Sequence, residues 1–403
     1  MAPQLNATRL TTMDPDAPLD DLEPLRELID TARVVAVGES AHFVREFNHA
    51  RQRLLRFLVQ RCGFSVLAYE YGFSEGFAVD RWLRGEEPEL DETAVKWGAG
   101  ELMHWLRDRD LGVRFAGLDL PAAGGTLLPA LEPVADYLRE VDPQAVPMVE
   151  GALRTAREFA SGSAAAAGPA WLKLDKAVRD DLSARLGRLH QRLLAVEPLL
   201  VERGGQYRFD QAVHHVLGAR QTDYMFRAIS EVRGGAGLTA DTSAREVYLA
   251  DSLDWHLAHA EPGARVVLFA HNVHIQKTPV HYGGALATLP LGQHLARRYG
   301  SDYRAIAVTS TAEQVPDMEL DPDSPVGFRV EVVPAAAPEP GSVEAAALAA
   351  GLGLSLSDLR HQPEDLVLDR IRAQRGTVRT PLREAFDAVL TVPTATVEPT
   401  VTL

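Results

Sequence analysis

The chain of 403 residues contains a single cysteine, Cys62, so no disulfide can form within it. We interpret Cys62 as a buried small hydrophobic residue near the end of a predicted helix. Residues 1–22 lack the basic and apolar segments of a secretory signal. No run approaches the roughly 20 apolar residues that a membrane-spanning helix needs. These absences predict a cytoplasmic protein without a membrane partner.

Basic side chains are also scarce, because 41 Lys and Arg residues stand against 56 Asp and Glu residues, for a formal charge of −15. Phosphate binding depends on clustered Lys and Arg, so this balance argues against nucleic acid as the main partner. Hydrophobic residues make up 46% of the chain, which is enough for a sizeable core. Nothing in the composition indicates an oligomeric state.

Short apolar runs recur along the chain and are nearly continuous in Val, Ile, Leu and Ala rather than alternating with polar residues. This pattern is typical of strands that are covered on both faces. We therefore predict an α/β fold with a central, mostly parallel sheet flanked by helices. The predicted strands are residues 33–39, 65–71, 113–120, 265–272, 303–310 and 386–392.

Helical periodicity fills much of the space between the predicted strands, beginning with residues 46–62. Residues 126–259 carry this periodicity almost throughout, so we predict a large helical insertion there, serving as a lid or cleft wall that binds substrate. Residues 1–125 and 260–403 would then form the α/β catalytic core. The Pro-rich segment 312–345 is predicted to be irregular.

Ionisable side chains follow several of the predicted strands at the point where each strand ends. In open α/β sheets, ligands bind at the carboxyl ends of the strands, so groups placed there face a crevice. A carboxylate in this position is costly unless it is paired or exposed. Gly38 permits a sharp exit from the first predicted strand. The side chains concerned are Glu39, His42, Glu70, Asp119, His271 and His274.

His42 is the natural general base, because imidazole titrates near neutral pH and can accept a proton from water and return it. Glu39 and Glu70 could orient its ring and hold the productive tautomer. Arg51, in the following helix, could turn inward to pair with a carboxylate or bind a developing anion.

Two other chemistries stay open at this point. His271 and His274 form an H-x-x-H pair, which could bind metal or act without one, and a metal-dependent hydrolase could be built on His42, Glu70 and His271. The segment "GESAH" superficially matches a nucleophile elbow centred on Ser40. His42 replaces the second glycine of that motif, which disfavours Ser40 as a covalent nucleophile.

Several segments together resemble the erythromycin esterase family, and they span roughly residues 20–395. The family has a G-E-x-x-H segment, an Arg in the next helix, a Glu ending the next strand and an A-H-N-x-H segment after a long helical insertion. The matching segments are "GESAHFVREF" (38–47), Arg51, "YE" (69–70), "GLDLP" (117–121), "AHNVH" (270–274), "GFRVEVVPAAAPEPGSVE" (327–344) and "FDAVLTVP" (386–393).

The resemblance implies hydrolysis of a macrolide lactone ester without metal or other cofactor. Matched segment to segment, the family's catalytic histidine falls on His42, and its partner carboxylates fall on Glu39 and Glu70. The groups implied to stabilise the oxyanion or position the ester are Arg51, His271 and His274. We predict that substrate is bound by His274, Ser40, Asp119 and Asn272.

One departure from the family concerns the last insertion helix, where an R-D pair is frequent and this chain has Arg245 and Glu246. The resemblance implies the chemistry better than the substrate, and it leaves open a role in antibiotic resistance or in natural product biosynthesis. Alternatives are a tailoring enzyme that uses the same base for elimination, cyclisation or acyl transfer, the metal-dependent hydrolase, and a binding module without chemistry.

Overall fold

The computed structural model describes residues 4–90, 95–282 and 285–403 of the chain. The strands, in chain order, are β1 (Thr8–Arg9), β2 (Val34–Val37), β3 (Val66–Gly72), β4 (Arg114–Asp119), β5 (Val266–Phe269), β6 (Val280–Tyr282), β7 (Ala285–Thr288), β8 (Tyr303–Ser310), β9 (Gln314–Leu320), β10 (Phe328–Pro334), β11 (Ser355–Asp358), β12 (Arg370–Ala373), β13 (Gly376–Arg379) and β14 (Ala388–Val392).

Within these described residues, eight strands form one sheet in the order β1-β11-β14-β8-β2-β5-β3-β4. The six predicted runs correspond to β2, β3, β4, β5, β8 and β14, which lie side by side and pair in parallel. Both faces of these strands are covered by buried apolar residues. The predicted fold class, a mostly parallel central sheet flanked by helices, is therefore confirmed.

Antiparallel strands complete the structure in segments whose sequence signals are weaker. β11 adds to β14, and β1 adds to β11, both antiparallel. The expectation of irregular chain over 312–345 is wrong in part, because β9 and β10 form a hairpin with each other. Pro316 and Pro334 are tolerated there because each strand of an isolated pair has an edge without a hydrogen-bonded neighbour.

The α-helices cover both faces of the sheet, and seven of them follow one another along the chain between β4 and β5. Among the described residues, no helix combines the length and apolar character needed to cross a membrane. The helices are α1 (Pro24–Ile29), α2 (Arg45–Cys62), α3 (Phe73–Leu83), α4 (Gly100–Arg109), α5 (Leu128–Val141), α6 (Val146–Phe159), α7 (Ala164–Lys173), α8 (Lys176–Ala195), α9 (Glu197–Gly204), α10 (Gln206–Arg233), α11 (Ala244–Ala258), α12 (Asn272–Ile275), α13 (Leu291–Tyr299), α14 (Val343–Ala349) and α15 (Leu382–Ala385).

Helix α2, which carries Arg51, forms where the periodicity predicts it. Its apolar stripe, which includes Phe47 and Leu54, is buried against one face of the sheet. Gly63, at φ 74°, ends the helix in the left-handed conformation that glycine adopts without steric cost. Cys62 lies half-buried at this end, and burial raises the pKa of its thiol.

Helices α5 to α11 build the predicted helical insertion between β4 and β5, and they have a hydrophobic cluster of their own. Leu131, Trp171 and Leu186 are among its fully buried members. Helix α11 connects this cluster to the core, because it lies against both α10 and β4. The division at residues 126 and 259 and the role of a lid stay predictions.

Gly38 directly follows β2. The structure shows that a glycine is needed here because another side chain approaches closely, rather than because the chain turns sharply. A Cβ atom at this position would lie 1.9 Å from Oδ1 of Asn272, far inside van der Waals contact. The Asn272 amide in turn pairs with the backbone of Val308, donating to its oxygen at 2.9 Å and accepting from its nitrogen at 3.1 Å. Gly38 therefore leaves room for Asn272, whose amide pairs with β8 and whose backbone N–H donates to the oxygen of Glu39, just after β2, at 2.8 Å.

We expect Gly38→Ala to destabilise the fold, because the new methyl group must displace a buried amide. Overpacking of this kind costs about 1–3 kcal/mol, so the midpoint of urea unfolding should fall. Gly187→Ala is the matched control, because a Cβ atom added at that position would meet nothing within 4 Å beyond its chain neighbours and the backbone of its own helix, α8, and helix propensity favours Ala by about 1 kcal/mol. Equal midpoints for the two variants would contradict the close approach at Gly38.

Candidate active site

A cleft of about 320 Å³ opens at the carboxyl ends of the central strands. One wall carries charged side chains, and the other is mostly apolar. The charged wall includes Glu39, His42, Glu70, Asp119, Arg245 and His274, and the apolar wall includes Phe43, Trp97, Met318 and Phe328. The strand ends therefore bring together the ionisable residues that the sequence places after them.

His42 is held by Glu39, three residues earlier in the loop between β2 and α2. Its Nδ1 lies 2.8 Å from Oε1 of Glu39, and its side chain is 28% exposed in the cleft. An ionised carboxylate only accepts hydrogen bonds, so Nδ1 carries the proton that faces Glu39. Nε2 has no hydrogen-bond partner among the described residues and is available to a ligand in the cleft.

Arg51 pairs with the same carboxylate and is 1% exposed. Its Nη1 donates to Oε2 of Glu39 at 2.8 Å. Its Nε and Nη2 donate to the backbone oxygens of Gly38 and Ala270 at 3.0 and 2.8 Å. Of the two roles predicted for Arg51, the geometry favours pairing with a carboxylate over binding a developing anion.

These contacts determine the protonation of Glu39 and His42. Burial alone would raise the pKa of Glu39, but the charge of Arg51 and the hydrogen bond from His42 lower it below its ordinary value. Burial would lower the pKa of His42, but the hydrogen bond to Glu39 and the charges of Glu39 and Glu70 raise it overall. Glu39 is therefore a stable anion beside a more basic imidazole.

Glu70 lies within β3 rather than at its end, next to a shift in the pairing register with β4. Its Oε2 accepts the backbone N–H of His271 at 2.8 Å. Its Oε1 lies 3.1 Å from Nη2 of Arg245 and 3.2 Å from Nε2 of His274. Glu70 thus makes no hydrogen bond to His42, contrary to the expectation that both carboxylates orient that ring, and acts on it only through its charge.

His274 lies between two carboxylates, which explains its charge. Its Nδ1 is 2.8 Å from Oε1 of Glu246, while its Nε2 faces Glu70. Glu246 is fixed by the backbone N–H of Leu291, at 2.9 Å. Burial would lower the pKa of His274, but Glu246 and Glu70 raise it to about 10. With an acceptor at each nitrogen, this ring is an imidazolium near neutral pH and has no lone pair for base catalysis.

His271 is a neutral ring whose nitrogens are both used by the backbone. Its Nε2 donates to the oxygen of Ser40 at 3.0 Å, and its Nδ1 accepts from the nitrogen of Val273 at 3.2 Å. Burial and the charge of His42 lower its pKa to about 3. Its ring centroid is 5.1 Å from that of His42. The geometry favours a role in packing and positioning His42 over a role in proton transfer.

The predicted substrate-binding residues occupy different places. His274 and Asp119 line the cleft, whereas Ser40 and Asn272 are buried, at 2% and 1% exposed, and do not line it. The backbone oxygen of Ser40 supports His271, and both polar atoms of the Asn272 amide pair with β8. For Ser40 and Asn272 the geometry favours a structural role.

Arg245 and Glu246, from helix α11, complete the charged wall, and neither is among the site residues predicted from the sequence. Arg245 donates from Nε and Nη2 to the two oxygens of Asp119 at 2.9 and 2.6 Å. Asp119 is fully buried and also accepts the backbone N–H of Leu120 at 2.7 Å. The adjacent Arg-Glu pair in "SAREVYLADSL" was the available signal, since the family often has R-D there.

The metal-dependent alternative rests on His42, Glu70 and His271. Across residues 4–90, 95–282 and 285–403, no group of three or more His, Cys, Asp or Glu side chains has the arrangement to hold a metal ion. His271 donates from one nitrogen and accepts a backbone N–H at the other. The donors named in that alternative therefore do not converge in this arrangement.

Aromatic side chains build the apolar wall opposite the charges. The ring centroid of Trp97 lies 6.3 Å from that of Phe43 and 5.7 Å from that of Phe328. Met318, on the same hairpin as Phe328, belongs to this cluster. The cleft therefore presents a broad apolar surface to one side of a ligand and charges to the other.

The β9–β10 hairpin is bonded to the loop between α6 and α7, and both segments contribute residues to the cleft lining. Ser163 Oγ donates to the oxygen of Val326 at 2.6 Å, and Ser161 Oγ donates to the oxygen of Pro325 at 3.1 Å. The nitrogen of Gly162 also donates to Pro325 at 3.3 Å. The helical insertion and the C-terminal part of the chain thus meet at the cleft.

Comparisons with known proteins place the chain in a family. A family model described as erythromycin esterase matches residues 59–395. Erythromycin esterase type II of Escherichia coli is 33% identical over 390 residues, which cover 94% of this chain and 93% of that protein. Erythromycin esterase type I of Escherichia coli is 33% identical over 388 residues, covering 93% and 94%.

A solved structure has the same fold over its whole length. A histidine-to-asparagine mutant of the erythromycin esterase EreC, in its open conformation, superposes with a TM-score of 0.90 at 29% identity, and all of each chain is covered. The family resemblance seen in the sequence is confirmed by these matches. The chain belongs to the erythromycin esterase family and is a carboxylic-ester hydrolase.

Proposed function

We propose that the protein hydrolyses the ester bond of a macrolactone or a similar bulky natural product, with His42 activating water and without a metal ion. The observation that carries this proposal is the His42 imidazole, which lines the cleft, has its Nδ1 fixed by Glu39, and has no hydrogen-bond partner for Nε2 among the described residues. An imidazole oriented in this way by a carboxylate is the arrangement that general base catalysis needs.

The proposed reaction begins when the oxygen of a water molecule attacks the ester carbonyl carbon, while a proton of that water passes to Nε2 of His42. The tetrahedral intermediate then loses the alkoxy group as the carbon–oxygen bond breaks. His42 returns its proton to the departing alkoxide, which leaves as an alcohol. Glu39 stays ionised throughout and stabilises the imidazolium that forms in between.

The substrate class is supported by the shape of the cleft and by the relatives. Phe43, Trp97, Met318 and Phe328 offer an apolar surface that suits the hydrocarbon face of a large lactone. The curated relatives carry the name erythromycin esterase. Cleavage of a macrolide antibiotic would give the protein a role in resistance.

A tailoring reaction with the same base stays a second candidate. His42 could also remove a proton in an elimination, a cyclisation or an acyl transfer. Product mass separates these reactions, because hydrolysis adds one water to the substrate, dehydration removes one, and cyclisation by isomerisation leaves the mass unchanged. A mass-spectrometric screen of macrolides and related lactones therefore tests the proposed function directly.

We expect His42→Asn to lower kcat for macrolide hydrolysis by about 10²–10⁴, the range that a positioned general base contributes. His361→Asn is the matched control, because that side chain is 77% exposed and its ion-pair partner, Asp358, lies outside the cleft. Product formation followed by mass spectrometry measures both. Retained activity in the His42 variant, with the same product, would contradict the proposed base.

The pH dependence follows from the pKa of His42, which is raised above its ordinary value of 6.5. The base acts when neutral, so kcat/KM should fall as the pH drops through that raised pKa. Removing the anion in Glu39→Gln takes away the main group that raises the pKa, so the acidic limb should move to lower pH. Steady-state kinetics across pH measures this shift, and a shift to higher pH would contradict the assignment of Glu39.

The absence of a metal requirement is tested by chelation. After dialysis against EDTA, we expect kcat to stay within about twofold of its starting value, because the proposed proton transfers use His42 alone. Elemental analysis of the same samples gives the metal content. Loss of activity that zinc or another divalent cation restores would favour the metal-dependent alternative.

A further inference from the structure

Two arginines line the charged wall, and they differ in what their guanidinium groups have left to offer. Arg51 uses Nε, Nη1 and Nη2 for Gly38, Glu39 and Ala270. Its side chain is 2% exposed, whereas that of Arg245 is 26% exposed. Arg51 is therefore buried and uses its donors to hold Glu39 and the nearby backbone, whereas Arg245 is more exposed and lines the cleft.

Arg245 is held firmly from one side only. Nε and Nη2 donate to Asp119, and Nη2 also donates to Glu70. Within the described residues, Nη1 has no hydrogen-bond partner. The guanidinium thus presents to the cleft one nitrogen that can still donate.

The anchors of Arg245 are themselves fixed by the backbone. Asp119 is fully buried and accepts the N–H of Leu120, and Glu70 accepts the N–H of His271. A donor whose supports are fixed before the substrate binds loses little free energy to reorganisation when charge develops. This is the property required of a group that stabilises an oxyanion.

We propose that Arg245 is a further catalytic residue, whose Nη1 donates to the ester carbonyl oxygen and to the oxyanion that replaces it. This rests on the proposed ester hydrolysis. When water attacks the carbonyl carbon, the carbonyl electron pair moves to oxygen and a proton of the water moves to His42. Arg245 keeps its own protons and acts by charge and hydrogen bonding. Burial would lower its pKa, but Asp119 and Glu70 raise it overall.

The second cation beside Glu70 is His274, and its contacts give it a different role from that of Arg245. His274 has each nitrogen directed to a carboxylate, Glu246 or Glu70. Its N–H groups are therefore already engaged, and its charge helps to hold Glu70 in place beside Arg245. We infer that His274 is a positioning residue for this wall and that the hydrogen bond to substrate comes from Arg245.

The kinetic test uses Arg245→Ala. Removal of one oxyanion donor lowers kcat by about 10²–10³, and we expect KM to change much less, because the lost contact strengthens in the transition state. Added methylguanidinium should restore part of kcat by filling the vacated position. Arg208→Ala, which removes an exposed arginine paired with Glu140, is the matched control and should leave kcat unchanged.

Arg245→Ala leaves the buried Asp119 carboxylate without its partner, which is costly and could destabilise the fold. A second variant therefore serves as a control for folding. Arg245→Met combined with Asp119→Asn removes both charges together and should unfold at a urea concentration near that of wild type. A folded double variant with low kcat supports the proposal. A folded variant of either kind with kcat within about threefold of wild type overturns it.

A binding measurement separates this proposal from the proposed function. Methylphosphonate is a small tetrahedral anion, and its affinity can be measured by calorimetry without any turnover. If wild type cleaves no ester but binds methylphosphonate and Arg245→Ala does not, the proposed function and the catalytic role of Arg245 both fail, and only anion binding by Arg245 stands. If ester cleavage and methylphosphonate binding both survive Arg245→Ala, the function stands and the donor role fails.

Discussion

The site depends on buried charges that are each held by a partner of opposite sign. Glu39 lies between Arg51 and His42, and Glu70 lies between Arg245 and His274. Removing a charge from water is costly, and the cost is recovered only where geometry and hydrogen bonds are good. The carboxylates of the wall outnumber its permanent cations, so protonation of His42 moves the cluster towards neutrality.

The partners come from parts of the chain that are far apart in sequence. Glu39, Glu70 and Asp119 belong to the sheet or to the loop after it, whereas Arg245 and Glu246 belong to helix α11 of the insertion. The anionic half of the wall is therefore built by the core, and much of its neutralisation comes from the insertion. A change in how α11 lies against β4 would alter the charge around Glu70 as well as the shape of the cleft.

The parallel strands and the residues after them could be predicted from the sequence, because buried strands are continuous in apolar residues and their ends are marked by ionisable ones. The β9–β10 hairpin could not, because Pro316 and Pro334 are typical strand breakers. Partners could not be assigned either, because the sequence does not give the strand order, and β5 in fact lies between β2 and β3. That Glu70 contacts Arg245 and His274 rather than His42 depends on side-chain directions, which spacing along the chain does not encode.

The hydrogen bonds from Ser161, Gly162 and Ser163 to the hairpin tip join two segments that both line the cleft. Each such bond contributes about 0.5–1.5 kcal/mol net, far less than the packing that holds the sheet. Substitutions in these few contacts would therefore alter the joint between the insertion and the hairpin without removing any hydrogen bond that holds His42, Glu39 or Arg51. Neighbouring parts of one cleft are thus stabilised by independent sets of contacts, and a sequence change in one set leaves the other in place.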